Sequence, residues 1–100
     1  MAFIFRFQQI LEICFHEENE VKTRLAKKDG QIAETAAKIK QLKQDYATGL
    51  EQQSADLLAG DIIKVQMYPA YLKTLQQSWE FQEEELERLE KQRQKILEEL

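Results

Sequence analysis

Cys14 and His16 are the one cysteine and the one histidine in the chain. With Glu18 they come closest to a metal-ligating set. On a helix, positions i and i+2 point about half a turn apart, so Cys14 and His16 cannot share an ion. Cys14 and Glu18, one turn apart, face the same way, but no further Cys or His completes a site. The plainer reading makes Cys14 a small apolar seam residue and His16 a solvated one. Glu83, Glu84, Glu85 and Glu87 bring carboxylates close together, the raw material of an acid–base pair. Such a pair needs burial to move a pKa, and a helix surface provides none. The sequence holds no GxGxxG, GxxxxGK[ST], GxSxG or HExxH, the arrangements that cradle phosphates, present a nucleophile or hold zinc. No cofactor, no metal and no enzymatic activity are expected.

The elements that carry these residues follow from composition. One hundred residues allow one small domain, too small for a deep catalytic core. Three Gly and one Pro exclude a turn-rich β-sandwich or barrel. Abundant Glu, Gln, Lys, Leu and Ala favour long helices. A formal net charge of −4 disfavours nucleic acid, whose ligands present a net basic face. A lone cysteine forms no internal disulfide, so nothing points to an oxidising compartment. No apolar run is long enough to span a bilayer. The apolar start through Phe7 is soon broken by Gln8, Gln9 and Glu12 and has no basic leader, so no signal peptide is expected. The protein reads as cytoplasmic.

From Phe7 the sequence keeps a heptad: Phe7, Leu11, Cys14, Glu18, Val21, Leu25, Lys28, Ile32, Thr35, Ile39, Leu42, Tyr46, Gly49. Steps of four and three alternate, the repeat of a helix supercoiled on a partner. Glu18, Lys28, Thr35 and Gly49 are flaws in this seam. Glu20–Arg24 and Glu34–Lys38 have the spacing of helix-supporting pairs. After Leu50 the pattern loosens. Gly60 suits the left-handed residue that follows a helix, and Asp61 suits an N-cap. Residues 62–67 read as a helical turn, with a short strand as the alternative. Pro69 is placed in the first turn of a second helix, where its missing N–H does no harm. That helix repeats through Leu72, Leu75, Trp79, Gln82, Leu86, Leu89, Arg93, Ile96 and Leu100, with Glu84–Arg88 and Glu87–Lys91 as supporting pairs.

The expected architecture is all-α: one long antiparallel two-helix coiled coil, an αα-hairpin. Its parts are a helix over about 4–55, a connection over about 56–68 and a helix over about 69–100. No Gly or Pro stops the second helix, so the natural chain is expected to continue past Leu100. Otherwise Phe3, Phe7, Leu11 and Cys14 need another partner. Charge favours the antiparallel choice. The acidic run Glu80, Glu83, Glu84, Glu85, Glu87, Glu90 then faces Lys27, Lys28, Lys38, Lys40 and Lys43. The aromatic N-terminus lacks the basic polar face of an interfacial helix, so direct membrane insertion is not expected.

Phe5-Arg6-Phe7-Gln8-Gln9-Ile10-Leu11-Glu12-Ile13, the step Glu17-Glu18-Asn19-Glu20, and Tyr68-Pro69-Ala70-Tyr71-Leu72-Lys73-Thr74-Leu75 together resemble the FliJ family of flagellar export proteins. The resemblance spans the whole sequence, and its specificity lies in the order and spacing of these segments. It implies a non-enzymatic, stalk-like coiled coil of the bacterial flagellar type III export apparatus. The implied partners are the export ATPase ring, the large membrane subunit of the export gate, and escort chaperones for late substrates. The implied location is the cytoplasmic face of the membrane at the flagellar base, with a link to chemotaxis and motility. Matched motif to motif, the family's gate-contacting band falls on Ile39, Leu42 and Tyr46, and on Tyr71, Leu75, Ser78 and Gln82. Thr35 stands where the family pattern has Gln one turn before Ile39. The heptad puts Ile39, Leu42, Tyr46, Leu75 and Gln82 on the seam. Tyr46 and Tyr71 are therefore the expected anchors, with rings half open at the groove, and Leu42 and Leu75 their floor. A prefoldin-like chaperone subunit, with β-hairpins between its helices, and a homodimerising scaffold are the alternatives.

Overall fold

The computed structural model describes residues 2–100 and leaves out Met1, the first residue of the apolar start. It contains two helices, α1 over Ala2–Leu58 and α2 over Ile62–Glu98. They lie antiparallel along one seam, and the described residues measure 88 × 16 × 13 Å. At about 1.5 Å per residue, α1 alone accounts for that length. The described residues contain no strand, so the β-hairpins of a prefoldin-like subunit are missing from them, and residues 62–67 are helical.

The antiparallel sense is set by a reversal of three residues. Gly60 takes φ +78, a conformation that costs an L side chain about 1–2 kcal/mol. Its N–H bonds Leu57 O at 3.1 Å and the Asp61 N–H bonds Asp56 O at 3.0 Å, the paired bonds of a Schellman ending. Asp61 then caps α2, its Oδ1 accepting from Lys64 N at 3.2 Å. The helices close on each other at residues 59–61, which differs from the long connection expected over 56–68. Pro69 is the reason for the difference. It lies inside α2, two turns from the cap, rather than in the first turn. The cap at Asp61 starts the helix early, and contacts across the seam carry it through a residue that removes one backbone donor.

The buried stripe runs where the heptad places it. Ile39, Leu72, Leu75, Leu89 and Ile96 are buried, with Thr35 and Gly49. Two expected flaws are therefore among the best-covered positions. Thr35 satisfies its hydroxyl by donating to Gln31 O at 2.9 Å, so its methyl is free to face the seam. Gly49 lets the helices approach: a Cβ built there would lie 3.0 Å from a terminal methyl of Leu72 and 3.4 Å from the Tyr71 ring. The flaw at Lys28 pairs across the seam, as does Arg93 of the second repeat. Lys28 Nζ donates to Gln92 Oε1 at 2.8 Å, and Arg93 Nε to Asp29 Oδ1 at 2.5 Å.

The charge pairing differs in detail from the expected match of lysines and glutamates. Of those residues, Lys43 and Glu83 bridge the helices at 3.1 Å. Arg24 pairs with Glu99 at 2.7 Å rather than with Glu20. Arg88 turns to Glu85, three residues back, rather than to Glu84, while Glu87–Lys91 pairs within α2 as expected. All these side chains but the half-buried Glu85 are well exposed, and each pair contributes roughly 0–1 kcal/mol. Beyond the Arg24–Glu99 level, Glu99 and Leu100 line a shallow cavity with Cys14, Glu17, Glu18, Val21 and Lys22, and residues 2–20 are all exposed. Phe3, Phe7 and Leu11 are exposed there, as is Cys14, and the Phe3 and Phe7 rings stack at 6.4 Å.

Candidate functional site

The seven residues matched to the partner-contacting band lie in the half of the hairpin nearer the reversal. Their accessibility differs sharply. Ile39 and Leu75 are buried, at 8% and 9% exposure; of the expected floor of Leu42 and Leu75, Leu75 alone is. Leu42, Tyr46, Ser78 and Gln82 are half-buried. Tyr71 is exposed at 49%.

The helical repeat sorts the band into two edges. On α2, Tyr71 and Ser78 are seven residues apart and share one edge of the stripe. Leu75 and Gln82 lie next to them, then Leu72 and Trp79, because each step of four or three turns the helix by roughly 40–60°. On α1, Gly49 meets Tyr71, whose ring lies against the glycine, and Leu42 occupies the same heptad position one repeat earlier. Leu42, Gly49, Tyr71 and Ser78 thus form one side of the groove. The Lys43–Glu83 bridge sets Leu42 level with Gln82. Tyr46 belongs to the other side. It meets Trp79 edge to face, with ring centroids 5.1 Å apart and an interplanar angle of 80°, a favoured aromatic geometry. The two tyrosines expected as joint anchors therefore flank the groove from opposite sides. Gly49 and Trp79 complete this geometry without belonging to the matched band. The signal for Gly49 was present in the sequence, since a helical glycine on a seam marks close backbone approach.

Between the band and the reversal, Tyr68 donates its hydroxyl to Asp56 Oδ2 at 2.6 Å. This bond to the Asp56 carboxylate, more than desolvation, pushes the Tyr68 pKa up. Far from the band, the Glu85 carboxyl is held below its ordinary value by its bond to Arg88. Among the described residues no group of three or more His, Cys, Asp or Glu is placed to hold a metal. No described helix is long and apolar enough to cross a membrane.

A long, narrow antiparallel pair of helices places the chain in the class of coiled-coil hairpins. Residues 3–100 match the family model described as Flagellar FliJ protein. The chain belongs to the FliJ family, and with it to flagellar protein export. No curated protein and no solved structure matches it.

Proposed function

We propose that this chain is a non-enzymatic stalk of the bacterial flagellar type III export apparatus. It sits in the ring of the export ATPase, contacts the large membrane subunit of the export gate, and helps cycle escort chaperones for late flagellar substrates. Its place is the cytoplasmic face of the membrane at the flagellar base, and its link to chemotaxis runs through motility. Shape is the observation that carries this reading: an 88 Å rod only 16 × 13 Å in section. An asymmetric rod in a ring of like subunits makes them inequivalent, which is a mechanical or allosteric task and needs no pocket. The test is to add the chain to the purified export ATPase and follow ATP hydrolysis. Stimulation that saturates with added chain supports the stalk role, and an unchanged rate at saturating chain refutes it.

The gate contact is assigned to the band. Tyr71 and Ser78 offer the open edge, Leu42 and Gln82 the groove beside it, and Tyr46 the opposite lip, while Ile39 and Leu75 support them from below. Alanine at Tyr71 or at Tyr46 should weaken gate binding and motility, with helix content and ATPase binding nearly unchanged. Tyr71→Ala is the cleaner test because that ring is half exposed. Unfolding by both substitutions, or unchanged gate binding, would make the band purely structural.

A further inference from the structure

The reversal is built inside out. In a Schellman ending, the two residues joined by its long hydrogen bond, or their neighbours, usually make an apolar contact. Here those positions hold Asp56 and Asp61, both half-buried, with the Tyr68 hydroxyl on Asp56. The apolar side chains of the same turn face water instead. Leu58 is 91% exposed and Ile63 77%, and Leu57, Ile62 and Met67 are exposed beside them. Folding alone selects the opposite arrangement, and a contiguous apolar patch on a surface marks a contact site. The patch is not isolated. Ile63, Met67 and Tyr71 are four residues apart in turn, so they form one i±4 ridge from the tip to the open edge of the band.

Charge selects the occupant. From residue 51 to residue 68 the chain carries Glu51, Asp56 and Asp61 against Lys64 alone. An anionic lipid surface repels such a tip, and so does a second copy of it. A protein groove with an apolar floor and a Lys or Arg rim complements it. We propose that the tip, through Leu58, Ile63 and Met67, seats in such a groove on the cytoplasmic part of the gate's large subunit, extending the contact made by Tyr71. This rests on the gate contact proposed above.

The test measures binding of that purified cytoplasmic part to the full chain and to a Leu58→Ser/Ile63→Ser double variant. Both side chains point into solvent, so circular dichroism and thermal midpoint should stay those of the parent. The variant should bind at least about tenfold more weakly, and Lys64→Glu should bind more tightly at low salt. Equal affinity of parent and double variant overturns the tip contact and leaves the Tyr71 contact standing. No binding by the parent overturns the gate contact itself and the tip proposal with it. Weaker binding by Lys64→Glu overturns the basic-rimmed groove. Two further results overturn the choice of partner: binding to phosphatidylglycerol vesicles by the parent but not the double variant, or dimerisation lost in that variant.

Discussion

At the scale of single residues, the seam is decided where side chains are smallest and largest. Gly30 and Gly49 both lie within α1, yet they do different work. A Cβ at Gly30 meets nothing within 4 Å, while one at Gly49 presses on Leu72 and Tyr71. Gly30→Ala should therefore raise stability by about 0.5–1 kcal/mol, the helical penalty of glycine. Gly49→Leu should lower it by about 1–3 kcal/mol through overpacking. Urea denaturation of the two variants checks both signs. Trp79 is half-buried against Tyr46 rather than enclosed. Trp79→Ala should then fall short of a full core truncation and cost about 2–3 kcal/mol. A double-mutant cycle with Tyr46→Ala should return a coupling of about 0.5–1.5 kcal/mol. A thermal midpoint indifferent to Trp79→Ala would contradict the seam described.

At the scale of elements, the heptad from Val21 to Gly49 and from Leu72 to Ile96 was legible because period, not residue type, carries the signal. That is why the repeat holds through Thr35 and Arg93, which no hydrophobicity count would place on a seam. The element ends were less legible. Gly60 and Asp61 mark the reversal correctly, but Pro69 drew the expected start of α2 seven residues too late. Local rules about proline lose here to a cap and a seam that act over several turns. The groove's division into two sides was likewise out of reach, because it depends on which α1 residue meets which on α2. The reversal has its own titratable latch in Tyr68 and Asp56. The bonded carboxylate keeps Tyr68 protonated in the fold, so the folded chain holds its proton to higher pH than the unfolded one. The latch contribution is complete below about pH 10, the ordinary tyrosine value, and is lost as pH rises through the raised value. The thermal midpoint of the parent should drop faster as pH rises above about 10 than that of Tyr68→Phe.

At the scale of the whole molecule, the rod has no interior in the usual sense. No described side chain is fully enclosed, and one layer of residues separates the two helices. Opening then proceeds layer by layer rather than all at once. Amide hydrogen exchange should be fastest in residues 2–20, where every side chain is exposed, and slowest around Ile39, Leu72 and Leu75. Uniform protection along α1 would contradict this. The thin seam also makes the rod's response to load depend on direction. Pulling Arg24 and Glu99 apart, across the seam, loads one pair of layers at a time, so the hairpin peels like a zipper at low and nearly constant force. Pulling α1 along its own axis against α2 loads every layer from Arg24 to the reversal together. The same contacts then resist as a lap joint, and a molecule that peels easily in one direction is stiff in the other.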